Sequence, residues 1–269
     1  MEFQITGLFV LLALVHVAEA ALSGRLPREV VPYKPAQFDV FKLILRNRAG
    51  FCTINRCKEL TAGNVYPLWT IEGLAPSFSD GTDGPTHCLS NAKFNASALR
   101  SILPQLGCHW PSYTSASNEL LWSKQFAAYG TCAITDDSNA INATLQYFQM
   151  TLDAYEKNDV ASWLQSSNIT PCDSVPYPHM RVFYTVGGNF GQSIELHCNG
   201  SRNGIDILQE IRLCVDKRTL TPSHCLQPIS SCRTNHTWYL ESSADLSTAS
   251  VFLAIAAIAF ALLVWRGFT

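Results

Sequence analysis

The sequence is poor in charged residues, which make up 15% of its 269 residues, and its formal net charge is only −2. Between residues 21 and 244, basic and acidic residues are equal in number. A chain without a basic excess has no general electrostatic field for nucleic acid, so nonspecific binding by phosphate neutralisation is not expected. With 47% hydrophobic residues, the chain can bury a sizeable core, and one domain with flanking segments is expected.

Several chemical signatures are also missing. The seven histidines and ten cysteines include no Cys-x-x-Cys or His-x-x-x-His pair, which argues against a zinc site. No Gly-x-Ser-x-Gly turn is present to carry a nucleophilic serine. We therefore expect neither a bound metal nor a cofactor.

The N-terminus and the cysteines indicate the secretory pathway. The first residues contain an apolar run that ends in Ala-Glu-Ala, which predicts a signal peptide over residues 1–20. An even number of cysteines is typical of a disulfide framework formed in an oxidising compartment. Five Asn-x-Ser/Thr sequons predict N-glycosylation at Asn95, Asn142, Asn168, Asn199 and Asn235.

The C-terminus indicates attachment to a membrane. Its unbroken apolar run falls short of the roughly 20 residues that span a bilayer, and Ser242 or Ser243 ahead of it is suited to lipid attachment. We favour a glycosylphosphatidylinositol (GPI) attachment signal over residues 242–269. A transmembrane anchor is the alternative, with Arg266 as a stop-transfer charge. Both place an ectodomain over residues 21–241 on the extracellular face of the plasma membrane.

Hydrophobic spacing predicts both strands and helices. Alternating or continuous apolar residues predict strands over 38–45, 66–71, 192–198 and 205–216. Helical spacing and stop signals predict helices over 96–106, 118–129 and 141–155. Together these elements predict an α+β fold in which an antiparallel sheet packs against several helices.

Two segments carry specific motifs. Residues 69–76 read Trp-Thr-Ile-Glu-Gly-Leu-Ala-Pro, and residues 121–132 read Leu-Trp-Ser-Lys-Gln-Phe-Ala-Ala-Tyr-Gly-Thr-Cys. They resemble the two active-site motifs of the ribonuclease T2 family, Trp-Thr-Ile-His-Gly-Leu-Trp-Pro and Phe-Trp-x-His-Glu-Trp-x-Lys-His-Gly-Thr-Cys. Both motifs align without a gap, and the resemblance spans roughly residues 38–235. It implies the fold of that family.

The departures from the family pattern fall on the residues that carry its chemistry. By resemblance, Glu72, Lys124 and Tyr129 stand where the family has histidines, and Gln125 and Ala128 replace its glutamate and lysine. The family reaction is a transphosphorylation, which needs a base, an acid and positive charge at the phosphate. Glu72 can still carry a proton, but a tyrosine with a pKa near 10 is a poor base. The resemblance therefore implies a catalytically degenerate member.

The resemblance also implies the disulfide pattern. Four pairs match those of the family, and the two cysteines left over are expected to bond to each other. The predicted disulfides are Cys52–Cys57, Cys88–Cys132, Cys198–Cys232, Cys214–Cys225 and, for the remaining pair, Cys108–Cys172.

Three functions are consistent with these residues. The first is a membrane-anchored extracellular glycoprotein that keeps the ribonuclease T2 scaffold to bind RNA, a glycan or a protein without catalysis. The alternative is an endoribonuclease for single-stranded RNA with reassigned groups, in which Glu72 is the base and His87 or Lys124 supports it. The third is a structural coat component whose glycans and anchor matter more than any pocket. We expect the first.

Overall fold

The structure is a computed structural model. It describes residues 37–59, 66–89, 92–114, 116–133, 140–225 and 230–241. The predicted signal peptide, the lipid-attachment serines Ser242 and Ser243, and the apolar C-terminal tail lie outside these ranges. Within them, no helix combines the length and the hydrophobicity that crossing a bilayer requires.

Strands and helices mix along the described chain as the α+β prediction requires. The strands are β1 (Val40–Asn47), β2 (Trp69–Ser77), β3 (Tyr177–Pro178), β4 (Ile194–Arg202), β5 (Ile205–Asp216) and β6 (His236–Trp238). The helices are α1 (Arg48–Cys52), α2 (Leu103–His109), α3 (Asn118–Gln125), α4 (Ala140–Glu156), α5 (Val160–Ser166) and α6 (His179–Phe190). Shorter helical turns cover Ala96–Leu99, Phe126–Gly130 and Thr131–Ala133. The α+β fold is confirmed.

The sheet is built around β1, which pairs antiparallel with both β2 and β5. β4 pairs antiparallel with β5, and β3 pairs antiparallel with β6. The four predicted strands are confirmed, with ends that differ by a few residues. One pair departs from the antiparallel prediction, because β6 runs parallel to β5 at Asp206 and Ile207. A long connection between β5 and β6 permits this pairing, which no tight hairpin can make.

A bulge interrupts the pairing of β1 with β2 inside the first motif. Ile44 pairs with Gly73, whereas its neighbour Leu45 pairs with Ile71. Glu72 is therefore the extra residue that faces no partner across the ladder. Bulges redirect a side chain relative to the regular alternation of a strand and often lie beside functional sites. The local fold thus singles out the same position as the sequence motif.

The core lies between one face of the sheet and the helices, with α4 as its main helical component. Tyr147, Phe148 and Leu152 of α4 are fully buried. The predicted apolar stripe of this helix is confirmed at Phe148 and Leu152, while Leu145 and Tyr155 are only partly buried. Burying each of the large side chains contributes roughly 1.5–3 kcal/mol.

The prediction of one continuous helix over 96–106 is wrong, because the structure has two separate helical segments there. The chain forms a 3-10 turn at Ala96–Leu99, and α2 then begins separately at Leu103. Pro104 lies in the first turn of α2. Proline has no N–H to donate and clashes with the preceding turn, so a helix can start at it but does not pass through it.

The helix of the second motif changes geometry before it ends. It begins at Asn118, and Ser117 caps it by accepting a hydrogen bond from the Leu120 N–H at 3.1 Å. Over Phe126–Gly130 the helix widens into a π-helical turn, a feature frequent at functional sites. A Cβ atom at Gly130 would lie 2.5 Å from the Phe126 ring. Glycine is therefore required there, although the chain continues into another helical turn.

Four of the five predicted disulfides are present: Cys52–Cys57, Cys88–Cys132, Cys198–Cys232 and Cys214–Cys225. The predicted Cys108–Cys172 bond is not formed, and both residues are free thiols. Cys108 is exposed on α2. The Cys172 N–H is bonded to the Tyr239 carbonyl after β6, so the fold holds the two cysteines on separate elements.

The predicted glycosylation sites differ in accessibility. Asn168, Asn199 and Asn235 are exposed, as attachment of a bulky glycan requires. Asn95 is partly buried, and its side-chain oxygen accepts a hydrogen bond from the Ser97 N–H. Asn142 lies in α4, but its side chain is outside the described set.

Candidate functional site

The candidate site lies on the face of the sheet that is turned away from α4. Alternate residues of a strand point to the same side, and here they place charged side chains of four strands next to one another. We call this set the charged face. Its members are Lys42 and Arg46 on β1, Glu72 on β2, Glu195 and His197 on β4, and Glu210 and Arg212 on β5.

Glu72, at the first motif's histidine position, is held by protein groups. Arg46 Nη1 donates to Glu72 Oε2 at 2.5 Å, and Gln125 Nε2 donates to Glu72 Oε1 at 3.3 Å. Trp110 Nε1 donates to the Glu72 main-chain carbonyl at 3.2 Å. Both carboxylate oxygens are therefore engaged within the protein, and the second motif contributes one of their partners.

Glu210 joins two arginines at the centre of the charged face. Its Oε1 accepts from Arg46 at 2.6 and 3.2 Å, and its Oε2 accepts from Arg212 at 2.7 and 3.1 Å. Arg46 also lies over the Phe51 ring, 4.4 Å from its centroid, where a cation is attracted to the aromatic face. Arg46 is thus fixed by carboxylates on both sides and by an aromatic ring.

Glu195 collects the remaining cations of the charged face. Lys42 Nζ lies 2.9 Å from Glu195 Oε1, and His197 Nε2 lies 3.2 Å from Glu195 Oε2. Arg212 reaches the same carboxylate at 4.0 Å. Lys42 is only 2% exposed, and a charge so deeply buried needs such a partner because desolvation is costly. Every lysine and arginine of the charged face therefore lies beside a carboxylate.

The environment moves the pKa values of the two central carboxyls in opposite directions. Burial raises the pKa of Glu72 to about 7, and the nearby Glu210 adds to this rise while Arg46 opposes it. Burial also acts to raise the pKa of Glu210, but Arg46 and Arg212 outweigh it and hold this pKa below its usual value. Glu72 therefore exchanges a proton near neutral pH, whereas Glu210 stays ionised.

Tyr129, at the last histidine position of the second motif, is a weaker acid than a free tyrosine. Its side chain is half-buried, and burial together with the charge of Glu72 raises its pKa above 10. The ring lies beside Gly73, since its Cε2 is 3.5 Å from where a Cβ at that position would be. Tyr129 is therefore a neutral phenol throughout the physiological range and accepts no proton as a base.

Gln125 and Ala128 complete the contact between the motifs. Gln125 Oε1 is buried with no hydrogen-bond partner in the part of the chain that is described. It lies 2.7 Å from the Cβ position of residue 73, so Gly73 allows this close approach. Ala128 contributes only its carbonyl, which accepts from the His87 N–H at 2.9 Å.

Lys124 and His87 do not join the other candidates. Both side chains are exposed, and neither makes an ion pair or side-chain hydrogen bond with another described residue. The structure thus brings Glu72, Gln125 and Tyr129 together and leaves Lys124 at the surface. The sequence-based expectation that His87 supports Glu72 has no contact behind it in the described chain.

The cavity next to Glu72 is small. Its volume is about 60 Å³, and its lining includes Arg46, Thr70, Tyr113 and Leu121. A water molecule takes up about 30 Å³ in the liquid, so this space holds a few waters rather than a nucleotide. Among the described residues, no group of three or more His, Cys, Asp or Glu side chains is placed to hold a metal ion.

Sequence reasoning did not identify the other members of the charged face as site residues. They lie on β1, β4 and β5, outside both motifs. A signal was available, because Glu195 and His197 flank the apolar Leu196, and Glu210 and Arg212 flank the apolar Ile211. Such a pair predicts a polar sheet face, but it does not predict which strands lie side by side.

Comparison with known proteins identifies the family of this chain. The model of the ribonuclease T2 family matches residues 38–225. Ribonuclease DdI of Dictyostelium discoideum is 28% identical over 192 residues, which are 71% of this chain and 80% of that protein. Ribonuclease T2 of Danio rerio is 29% identical over 180 residues, 65% of this chain and 69% of that protein.

Solved structures show the same fold. RNase NT in complex with 5′-AMP superimposes with a TM-score of 0.65 at 24% identity, covering 76% of this chain and 98% of that one. An RNase-related protein from Calystegia sepium superimposes with a TM-score of 0.63 at 24% identity, covering 77% and 98%. With the family model matched over most of its folded part, the chain belongs to the ribonuclease T2 family.

Proposed function

We propose that this protein is a membrane-anchored extracellular glycoprotein that uses the ribonuclease T2 fold to bind a ligand without cleaving RNA. The observation that carries the proposal is the state of the two histidine positions. Both oxygens of Glu72 are engaged by Arg46 and Gln125, and Tyr129 is a neutral phenol. Transphosphorylation needs two proton transfers, and this pair supplies at most one of them.

The charge balance of the site supports the same proposal. A phosphate needs cations that are not already neutralised, and the arginines of the charged face are paired with Glu72 and Glu210. Lys124 is the candidate cation that remains exposed without an ion pair among the described residues. One lysine provides little of the phosphate neutralisation that RNA binding requires. A protein or glycan ligand therefore fits better than RNA, although the relative RNase NT holds 5′-AMP.

The location is proposed from the ends of the chain and from its covalent features. The signal peptide over residues 1–20 and the GPI signal over 242–269 are sequence-based proposals. Four disulfides and three exposed sequons are consistent with passage through the secretory pathway. A further relative, extracellular ribonuclease LE of Solanum lycopersicum, is 27% identical over 182 residues.

One preparation tests the anchor and the activity together. The full-length chain is produced on animal cells, and phosphatidylinositol-specific phospholipase C is added to release it. Release supports the GPI anchor at Ser242 or Ser243, whereas retention on the cells supports the transmembrane alternative. The purified protein is then incubated with single-stranded RNA, and 2′,3′-cyclic nucleotides are measured beside a family member that has both histidines.

We expect no cyclic product above the level of the Glu72→Gln variant. The same sample is then tested for binding to single-stranded RNA and to a glycan array. Cyclic product that disappears in Glu72→Gln would overturn the proposal in favour of the alternative, an endoribonuclease with Glu72 as its base. One observation favours that alternative, since a pKa of about 7 suits a general acid or base. Product that persists in the variant would come from a contaminating enzyme.

A further inference from the structure

A second cavity lies on the other face of the β1–β2 pair, beneath the helices. It has a volume of about 250 Å³ and is enclosed by side chains of β1, β2, α2, α4 and α5 and of the α4–α5 connection. We call it the Trp69 pocket. The residues that matter for its chemistry are Trp69, His109, Tyr155, Glu156, Asn158 and Asp159.

Three side chains of the Trp69 pocket each donate a hydrogen bond within the protein. The Tyr155 hydroxyl donates to the Trp69 carbonyl at 2.8 Å, and Trp69 Nε1 donates to the Tyr239 hydroxyl at 3.0 Å. Asn158 Nδ2 donates to the Ala154 carbonyl at 2.7 Å. A ligand that needs donors from these three side chains would find them occupied.

The acceptors of the pocket are not used up. His109 Nδ1 is buried and has no hydrogen-bond partner in the described chain, and it is an acceptor when the ring proton is on Nε2. Asp159 Oδ1 caps α5 by accepting from the Ser162 N–H at 3.0 Å, which leaves Oδ2 available. Glu156 is exposed at the rim and has no ion pair with any described side chain. The pocket therefore offers acceptors and negative charge.

The described residues that line the pocket include no lysine or arginine. Lys157, which lies between two lining residues in sequence, donates instead to the Thr219 carbonyl at 3.2 Å. Its walls include the rings of Trp69, His109 and Tyr155, the last two with centroids 5.0 Å apart. Aromatic faces attract a cation, and this attraction grows when the cation is shielded from water.

We propose that the Trp69 pocket binds a small organic cation with N–H groups, a protonated amine or a guanidinium. The aromatic walls would contact its apolar part, and the carboxylates of Glu156 and Asp159 would accept its hydrogen bonds. A volume of about 250 Å³ is below the range of drug-sized sites, which begins near 300 Å³, so the ligand is small. The proposal is independent of the state of Glu72, because the pocket lies on the opposite face of the sheet.

The test uses putrescine and 1,4-butanediol, which have the same carbon chain with and without charged amino groups. Isothermal titration of the full-length protein, purified in detergent, is expected to show saturable binding of one putrescine per chain. Binding of 1,4-butanediol is expected to be at least 10-fold weaker. In the double variant Glu156→Gln, Asp159→Asn, putrescine affinity is expected to fall at least 10-fold. Asparagine also caps helices, so α5 keeps its N-cap.

Two further variants serve as a control outside the pocket and as a steric block inside it. Glu119→Gln makes the same chemical change on exposed α3, away from the pocket, and is expected to leave putrescine binding unchanged. Ala161→Phe fills the pocket without altering charge, and it is expected to abolish binding. Absence of putrescine binding, equal binding of 1,4-butanediol, or unchanged binding in both pocket variants would each overturn the proposal.

Discussion

The two faces of the β1–β2 pair differ in how their polar groups are satisfied. On the charged face, each lysine and arginine lies beside a carboxylate, and Glu72 has a partner for each of its oxygens. In the Trp69 pocket on the opposite face, the side chains of Tyr155 and Asn158 donate within the protein, but Glu156 and Asp159 have no ion pair with any described side chain. The charges around Glu72 are therefore paired within the protein, whereas the carboxylates of the Trp69 pocket are not.

The pairing of charges on the charged face follows from the cost of burying an ion. An unpaired buried ion is strongly destabilising, so a glutamate at position 72 requires a cation nearby, and Arg46 on the adjacent strand supplies it. That pairing in turn removes a cation which an RNA phosphate would need. The stability of the charged face and its suitability for phosphate are thus opposed.

The contrast between the two faces requires that the ion pairs of the charged face depend on one another. The variant Glu210→Ala is the strongest test of this dependence. The change removes the shared partner of Arg46 and Arg212. We expect a loss of about 3–5 kcal/mol in the free energy of unfolding, because partly buried Arg46 is left with Glu72 alone and Arg212 with Glu195 at 4.0 Å. Denaturant unfolding measures it. Glu119→Ala, at an exposed position, is expected to cost less than about 1 kcal/mol, and equal losses in both variants would contradict the network.

The raised pKa of Glu72 predicts how the stability of the charged face depends on pH. Its pKa is raised from 4.5 to about 7 in the folded protein, so between these values the folded state binds more protons than the unfolded chain. Stability contributed by this group is therefore fully present below pH 4.5 and is lost as the pH rises to about 7. We expect the wild type to lose on the order of 2–3 kcal/mol relative to Glu72→Gln across this window.

Unfolding free energies of the two proteins at pH 4.5 and pH 7.5 measure that difference. Glu195 and Glu210, whose pKa values are lowered, act in the opposite sense and at lower pH, where stability is lost as the pH falls. Comparing the variant with the wild type cancels their contribution. Parallel pH profiles for the two proteins would show that burial does not raise the pKa of Glu72.

The smallest expected effect concerns the thiol beside the Trp69 pocket. Because Cys108 and Cys172 are free, we expect maleimide to modify the exposed Cys108 in the native protein and both thiols after unfolding, as mass spectrometry would show. Cys108→Ser should change stability by less than about 1 kcal/mol. Cys88→Ser, which opens a disulfide, should cost about 2–5 kcal/mol. If no thiol reacts even after unfolding, Cys108 and Cys172 form the predicted disulfide after all.

The sequence predicted the fold and most of its elements correctly because their signals are local. Strand β5 and helix α4 carry clear apolar patterns, and the two motifs align with the family without a gap. The helix over 96–106 was wrong because Pro104 was not weighed against the apolar spacing. The fifth disulfide was wrong because it was assigned by elimination, and elimination carries no information on distance.

The chain alone determined membership in the ribonuclease T2 family and predicted that the family's histidines are replaced, since both are read from short strings of adjacent residues. Only the tertiary structure decided that Glu72 is paired with Arg46 and Gln125, and that Glu156 and Asp159 line a pocket with the rings of Trp69 and Tyr155. These facts depend on residues distant in sequence, which meet because β1 pairs with β2 and β5 and because the helices pack across the other face. Two charged side chains pair only when they lie within a few ångströms of each other, and the fold decides which residues lie that close.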